Sequence, residues 1–234
     1  MQLHSIVSSI DDILQDSAFT ELRIVDRINT ALQTITAGVR MPDNSMSPSI
    51  PDLYTLGSVT TSTTLAYTTL PTDYQRRLTS VVDSSGLIIP APRGGDYYSF
   101  VKFVDQASDK LLAESGSIYV VAVRGRKIYY QGIPTVATTL SLHYYAKPDT
   151  LVADTDEPDC LPEHLQERLL KHWVLKEFFG EAIEDGQDNK GIAVTYHTGK
   201  FFEAMTDLAG YVGIDSSPMY YGSDSLVDAG VCDV

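Results

Sequence analysis

The chain has 234 residues and a formal net charge of −14, from 31 acidic and 17 basic side chains. This acidity argues against a protein that grips nucleic acid, because phosphate binding needs clustered lysine and arginine. With 43% hydrophobic residues the chain is able to form a real core, and its length fits one large domain, alone or with an insertion.

The sequence shows no membrane segment and no secretion signal. No apolar run approaches the ~18 residues that a transmembrane helix needs, and the first residues lack the basic and apolar segments of a signal peptide. Cys160 and Cys232 stand far apart, so they form no zinc or redox motif and indicate synthesis in a reducing compartment. The 14 tyrosines and the charged fraction of 21% are typical of a protein that hides surface against partners.

Two amphipathic helices are predicted near the N-terminus. Apolar residues recur at spacings of three and four from Ile6 to Leu14, and again from Leu22 to Ile35. Gly38 is predicted to end the second helix. Residues 41–52 hold three prolines and are predicted to form a loop.

From about residue 57 to 147, the apolar residues recur at every second position. This period of two predicts an antiparallel β module. The predicted strands are Val59–Tyr67, Leu87–Ile89, Tyr98–Val104, Ser117–Val123, Ile128–Tyr130 and Leu140–Tyr145. Gly125 is suited to the positive φ of a tight primed turn, so a hairpin is expected there. Its tip, Arg124-Gly125-Arg126-Lys127, is basic and suited to dock on an acidic partner. A second basic turn is Arg93-Gly94-Gly95, and neither turn opens a helix as a phosphate cradle should.

Helical spacing returns after the β module. Leu161-Pro162-Glu163 predicts a helix start, and a broad apolar stripe follows over residues 165–183. Because this stripe is wider than one contact face requires, we expect it to touch the body of its own subunit and something else. A break at residues 186–191 and a second stripe over 194–208 predict another helix, which Gly210 is expected to end.

The predicted fold class is α+β. N- and C-terminal helices form a helical body, with an inserted antiparallel β-sandwich or barrel-like module and an extended C-terminal tail. The predicted division is 1–56 for the N-terminal helices and linker, 57–147 for the β module, 148–212 for the C-terminal helices and 213–234 for an extended arm. The arm has no period but is rich in apolar residues, so we expect it to become ordered on a partner.

Patterns that carry chemistry are weak. The acidic run at residues 154–159 lacks the glycine and the distal glutamate of the common calcium loop. His164 and His172 stand eight positions apart on one predicted helix, too far for one metal ion. There is no Gly-x-Ser-x-Gly elbow, and Cys160 lies among acidic residues that oppose thiolate formation. We therefore predict no catalytic residue, no cofactor and no metal, and favour an assembly or interaction protein over an enzyme.

Two stretches of the chain resemble the head–tail adaptor proteins, also called connector or neck proteins, of tailed bacteriophages. The first runs from an aromatic strand ending in Lys147-Pro148, through the acidic loop and Leu161-Pro162, into a long amphipathic helix. The second, Leu70-Pro71-Thr72-Asp73-Tyr74-Gln75-Arg76, is similar to the Leu-Pro-x-Asp-aromatic-x-Arg stretch of that family. The resemblance covers residues 70–77 and 140–210 well and the order of elements loosely.

The resemblance implies a homo-oligomeric ring, usually of twelve copies, at the head–tail junction of the virion, after synthesis in the host cytoplasm. Its partners would be the portal protein above it and a tail, tail-hub or nozzle protein below it, with no membrane contact. The ring would extend the DNA channel and provide the platform for the tail. Since every copy carries −14, the ring repels phosphate, and duplex DNA is expected to pass without specific binding.

Three sets of contact residues are predicted on this basis. Apolar residues of the broad stripe are expected at the ring interface: Leu165, Leu169, Trp173 and Phe178. Apolar residues of the arm are expected to contact the portal: Tyr220, Tyr221 and Leu226. Acidic residues of the loop are expected to line the channel: Asp154, Asp156, Glu157 and Asp159. The β module is expected to face the tail or the outer surface.

Two alternatives of other classes stay open at this point. One is a peptidoglycan hydrolase carried in the virion, for which 31 acidic residues offer many carboxylate pairs but single out none. The other is a tail or receptor-binding β module, which a sugar-binding screen and its stoichiometry would reveal. Zymography of the purified protein separates the hydrolase from the adaptor.

Overall fold

The chain folds into two compact units, which a computed structural model describes over residues 1–15, 19–106, 115–185 and 190–212. One unit consists of Met1–Leu53 together with the described chain from Lys147 onwards. We call it the helical unit. The other consists of Tyr54–Ala146, and we call it the β unit.

Five α-helices and six β-strands lie within the described residues. The helices are α1 (Leu3–Leu14), α2 (Glu21–Ala37), α3 (Phe100–Gln106), α4 (Glu163–Glu184) and α5 (Gly191–Val212). The strands are β1 (Tyr54–Thr60), β2 (Tyr67–Thr69), β3 (Tyr74–Val82), β4 (Val120–Arg124), β5 (Lys127–Gln131) and β6 (Thr139–Ala146). The predicted α+β class is confirmed, with helices at both ends of the chain and antiparallel sheets between them in sequence. In this part of the chain, no helix combines the length and the apolar character that crossing a bilayer requires.

Helix α4 is the centre of the helical unit, where it packs against α1, α2 and α5. Ten of its 22 residues are buried, more than a helix with a single contact face needs. The breadth of the apolar stripe is therefore explained by three helices of the same chain that cover it. The exposed positions of α4 hold only charged or imidazole side chains: Glu163, His164, Arg168 and Glu184.

Polar contacts hold α2 in place within the helical unit. The Glu181 carboxylate of α4 accepts hydrogen bonds from both Arg23 and Arg27 of α2. The Asn29 side chain pairs with both backbone polar groups of Leu151, donating to the carbonyl at 2.9 Å and accepting from the N–H at 2.8 Å. These contacts join α2 to α4 and to the segment before it, so the N-terminal and C-terminal parts of the helical unit pack as one body.

The β unit contains two three-stranded antiparallel sheets, with strand orders β1-β6-β3 and β2-β5-β4. Both sheets contribute to one apolar core, in which Val81 and Leu142 come from the first sheet and Val121 and Ile128 from the second. The predicted hairpin is confirmed between β4 and β5. Its Gly125 has φ +59°, as the first central position of a type II′ turn requires.

The strand predicted over residues 98–104 is wrong, because most of this segment belongs to helix α3. The Asp96 carboxylate accepts hydrogen bonds from the Tyr98 N–H and the Ser99 hydroxyl, at 3.0 and 2.8 Å, and so starts a helical turn. Phe103 is then fully buried against β4. A short apolar run fits either period, and here the local hydrogen bonds select the helix.

Three other predicted boundaries are wrong as well. The strand over Val59–Tyr67 is interrupted, because the Ser62 hydroxyl accepts hydrogen bonds from the backbone two and three residues further on. Leu87–Ile89 forms an isolated bridge to Val82 rather than a strand. Gly210 does not end α5, since it keeps a negative φ and the helix continues beyond it.

The core around α4 gives a stability prediction. Phe178→Ala should lower the free energy of unfolding of the helical unit by about 3–5 kcal/mol, because a fully buried ring is replaced by a cavity. Trp173 is the one tryptophan of the chain and lies in the same core, so its fluorescence during urea unfolding reports on this unit. The control, Ile192→Ala, removes a side chain that is 85% exposed and should change stability by less than about 0.5 kcal/mol. Equal losses for the two variants would contradict this packing.

Candidate interaction surfaces

Within the described residues, neither a group of metal ligands nor an activated cysteine is present. Across residues 1–15, 19–106, 115–185 and 190–212, no three His, Cys, Asp or Glu side chains are grouped to hold a metal ion. Burial raises the pKa of the Cys160 thiol to about 12, which keeps it protonated and unreactive.

The acidic loop before α4 is fastened to the first turn of α1. The N–H of Leu3 donates to the carbonyl of Asp156 at 2.8 Å, and the N–H of His4 donates to the carbonyl of Asp154 at 3.1 Å. These carbonyls satisfy two of the N–H groups that a helix start leaves without partners. The position of the loop is thus set by α1 as well as by α4.

The four acidic residues predicted for the channel differ in what they contact. The Asp156 carboxylate turns back onto its own loop and accepts hydrogen bonds from two backbone N–H groups, at 2.7 and 2.8 Å. These bonds lower the pKa of Asp156. Asp154, Glu157 and Asp159 are exposed, and the Glu157 carboxylate forms an ion pair of 3.6 Å with the N-terminal ammonium of Met1. One member of the set therefore builds the loop, one pairs with the N-terminus, and Asp154 and Asp159 are available to a partner.

Glu157 and Asp159 also border an open groove, together with Asp52, Glu163 and Tyr211. We call it the acidic groove. Its four carboxylates are all exposed. In the described chain, no Lys, Arg or His side chain forms an ion pair with Asp52, Asp159 or Glu163. The groove therefore keeps a concentrated negative charge at this end of the helical unit.

The residues predicted for the ring interface lie inside the helical unit. Their exposed fractions are 1% for Leu165, 0% for Leu169, 7% for Trp173 and 0% for Phe178. The Phe178 ring, for example, lies 4.5 Å from the ring of Phe19. These side chains hold α4 against its neighbours within the same chain and are covered by them. Tyr220, Tyr221 and Leu226, predicted for the portal-contacting arm, lie outside the described residues.

The cations at the β4–β5 turn are oriented by aromatic rings. The Arg124 guanidinium lies 5.0 Å from the centroid of the Phe100 ring, and the Lys127 ammonium lies 4.0 Å from that of Tyr67. Ring faces attract cations at these distances. The two side chains are thereby restricted in direction although the turn itself is exposed.

Arg126, between them, is held by the stretch that resembles the adaptor family. Its guanidinium donates to the carbonyl oxygens of Pro71 and Thr72, at 3.0 and 3.3 Å, and its own carbonyl accepts from the N–H of Leu70 at 3.0 Å. Asp73, in the same stretch, accepts a hydrogen bond of 2.8 Å from the Tyr144 hydroxyl of β6. The Leu70–Arg76 stretch therefore fixes the basic hairpin to both sheets.

Charge is divided unequally between the two units. Residues 54–146 contain six acidic and eight basic side chains, a formal charge of +2. The rest of the chain contains 25 acidic and nine basic side chains, a formal charge of −16, of which residues 1–53 and 147–212 of the helical unit carry −12 and residues 213–234 carry −4. The composition of the whole chain conceals this division, and the unit boundaries reveal it. The β unit is thus the cationic part of an acidic protein.

Two histidines meet between α4 and α5. Sequence reasoning missed this pair, because the two residues stand 25 positions apart on different helices. The Nδ1 atoms of His172 and His197 lie 2.9 Å apart, so one ring donates and the other accepts a hydrogen bond. Burial lowers the pKa of both histidines, to about 4 for His172. The positive charges of Lys171, Arg168 and Lys200 oppose protonation of His172 further.

This pair predicts a loss of stability in acid. A histidine whose folded-state pKa lies below its unfolded value stabilises the fold fully above about pH 6.5, and the contribution disappears as pH falls towards 4. Replacing both residues, His172→Gln with His197→Gln, should flatten this part of the stability profile. Trp173, next in sequence to His172, reports the unfolding midpoint.

The control for this prediction is His4→Gln, an exposed histidine at the start of α1. It should reproduce the wild-type profile between pH 7.5 and 4. An unchanged acid loss in the paired variant would show that carboxylates alone cause it, and the prediction would fail.

The comparison with known proteins gives one match. A protein-family model described as SU10 adaptor protein matches residues 1–223 and so includes both units. No curated protein matches the chain. The match agrees with the adaptor resemblance of residues 70–77 and 140–210. The chain belongs to the SU10 adaptor protein family of phage head–tail adaptors.

Proposed function

We propose that this protein forms a ring, of twelve copies, between the portal and the tail of a phage particle and conducts DNA through its centre. The observation that carries the proposal is the family match over residues 1–223. The absence of a grouped metal site in the described residues and the protonated thiol of Cys160 agree with a structural role. In this proposal the protein catalyses no reaction.

The division of charge supports a DNA channel lined by the helical unit. Phosphates are repelled by a wall that carries a net negative charge, so duplex DNA moves along it without being held. The helical unit with the C-terminal residues has a formal charge of −16, whereas the β unit has +2. We therefore assign the channel wall to the helical unit, with Asp154 as one of its exposed acidic residues, and the tail-facing or outer surface to the β unit.

The ring interface in this proposal uses exposed residues around α4 rather than its buried stripe. Leu165, Leu169, Trp173 and Phe178 keep their role in the core, because moving them to an interface would open the unit. The portal contact is assigned to the arm, residues 213–234, through Tyr220, Tyr221 and Leu226. Aromatic and aliphatic side chains of this kind supply much of the binding energy when an arm settles on a partner.

Native mass spectrometry of the protein with its portal tests the ring. A complex that contains one portal ring and twelve copies of this chain is the expected result, with no such species when the portal is omitted or replaced by an unrelated ring. Electron microscopy of the same sample should show an added collar at one end of the portal. A trimer, or no binding to the portal at all, would refute the proposal.

Removal of the arm is expected to separate folding from attachment. A chain that ends at Val212 should keep the urea midpoint reported by Trp173, because the described core lies entirely before that point. The same chain should fail to attach to portal-bearing heads, as measured by co-sedimentation.

A point-variant set sharpens this prediction. Tyr220→Ala with Tyr221→Ala and Leu226→Ala should weaken attachment strongly, since it removes the apolar contacts. Asp224→Asn with Asp228→Asn changes the same arm but keeps them, so it should leave attachment close to wild type. Normal attachment of the shortened chain would rule out the arm as the portal contact.

A further inference from the structure

The basic hairpin of the β unit is built to present its charges to a partner. Arg124 and Lys127 are directed by the rings of Phe100 and Tyr67, and Arg126 is held by backbone carbonyls. Ordering flexible cationic side chains usually reduces the free energy gained on binding. Here much of that ordering is present before any partner arrives.

These cations have no carboxylate partner among the described residues. Among the residues that the structure describes, no Asp or Glu forms an ion pair with Arg124, Arg126 or Lys127. This is unusual in a chain with 31 acidic residues. The hairpin tip therefore carries an exposed positive charge that is free to meet an anionic surface.

The same chain carries a surface of the opposite sign. The acidic groove of the helical unit holds four exposed carboxylates, of which Asp52, Asp159 and Glu163 lack a described cationic partner. A ring of identical copies needs two different patches on each copy that fit each other, so that every contact is head to tail. An exposed basic projection and an open acidic groove on one chain meet this requirement.

We propose that the basic hairpin, Arg124 to Lys127, of one copy docks in the acidic groove of the next copy. This inference rests on the ring assembly proposed above and names its contact. Complementary charges of this kind direct the approach of the two surfaces and fix which patch meets which. It also divides the loop residues: Glu157 and Asp159 face a neighbouring copy, and Asp154 is left for the channel wall.

Charge reversal on each side tests the contact. The hairpin variant is Arg124→Glu with Arg126→Glu, and the groove variant is Asp52→Lys with Glu163→Lys. Assembly of full-length protein on its portal is followed by native mass spectrometry over a range of protein concentration. Each variant alone should need at least about tenfold more protein than wild type for half occupancy, because two like-charged surfaces then meet.

Mixing the two variants provides the decisive measurement. The acidic hairpin of one variant fits the basic groove of the other, and the basic hairpin of the second fits the acidic groove of the first. A mixture should therefore restore assembly, with equal numbers of the two variants in each ring. A variant that merely fails to fold cannot be rescued in this way, and the urea midpoint reported by Trp173 checks folding separately.

A matched control changes two other basic residues of the β unit, Arg93→Glu in the second basic turn and Lys102→Glu in helix α3. It alters the charge of the β unit by the same amount and should assemble like wild type. Normal assembly of the hairpin variant would overturn this inference but not the proposed ring. Hairpin variants that assemble normally but change DNA passage would overturn it in favour of a phosphate contact. Failure of the wild-type protein to form a ring on the portal would instead refute the proposed function.

Discussion

The enclosure of α4 is the constraint on which the helical unit depends. A 22-residue helix with ten buried positions has to be covered on several sides, and α1, α2 and α5 do this within one chain. The apolar surface of α4 is then buried within the folded chain. Its exposed positions are left with charged and imidazole side chains. Contacts that α4 makes with other molecules must therefore be polar.

With the apolar stripe of α4 buried, the two units differ most clearly in their formal charge. The helical unit with the C-terminal residues carries −16 and the β unit +2. An interface between identical copies gains both direction and specificity when unlike patches meet, because like patches repel. A protein that surrounds DNA has a second use for the same acidity, since a negative wall does not retain phosphate. In the proposed ring, one division of charge thus serves assembly and DNA passage together.

The sequence predicted best those features that depend on neighbouring residues. Both N-terminal helices, the Gly125 hairpin and the breadth of the stripe on α4 follow from local spacing and turn chemistry, and all agree with the structure. The strand predicted over residues 98–104 was wrong because a short apolar run fits a helix as well as a strand. The hydrogen bonds of Asp96 select the helix. The sequence did not reveal that α5 of the same chain covers the apolar stripe of α4. Residues of that stripe were therefore predicted to contact a neighbouring copy.

The interaction surfaces show the same limit in another form. The sequence identified the basic turn and the acidic loop separately. The contacts that orient the turn join residues far apart in the chain: Lys127 and Tyr67 are 60 positions apart, and Arg126 and Pro71 are 55 positions apart. The acidic groove likewise combines Asp52 with Glu163. Such contacts leave no periodic signal, because each member looks like an ordinary surface residue in its own segment. The Leu70–Arg76 stretch is the exception: its resemblance to the adaptor family marked a segment whose work is to anchor the hairpin, and the hydrogen bonds to Arg126 show how the anchoring is done.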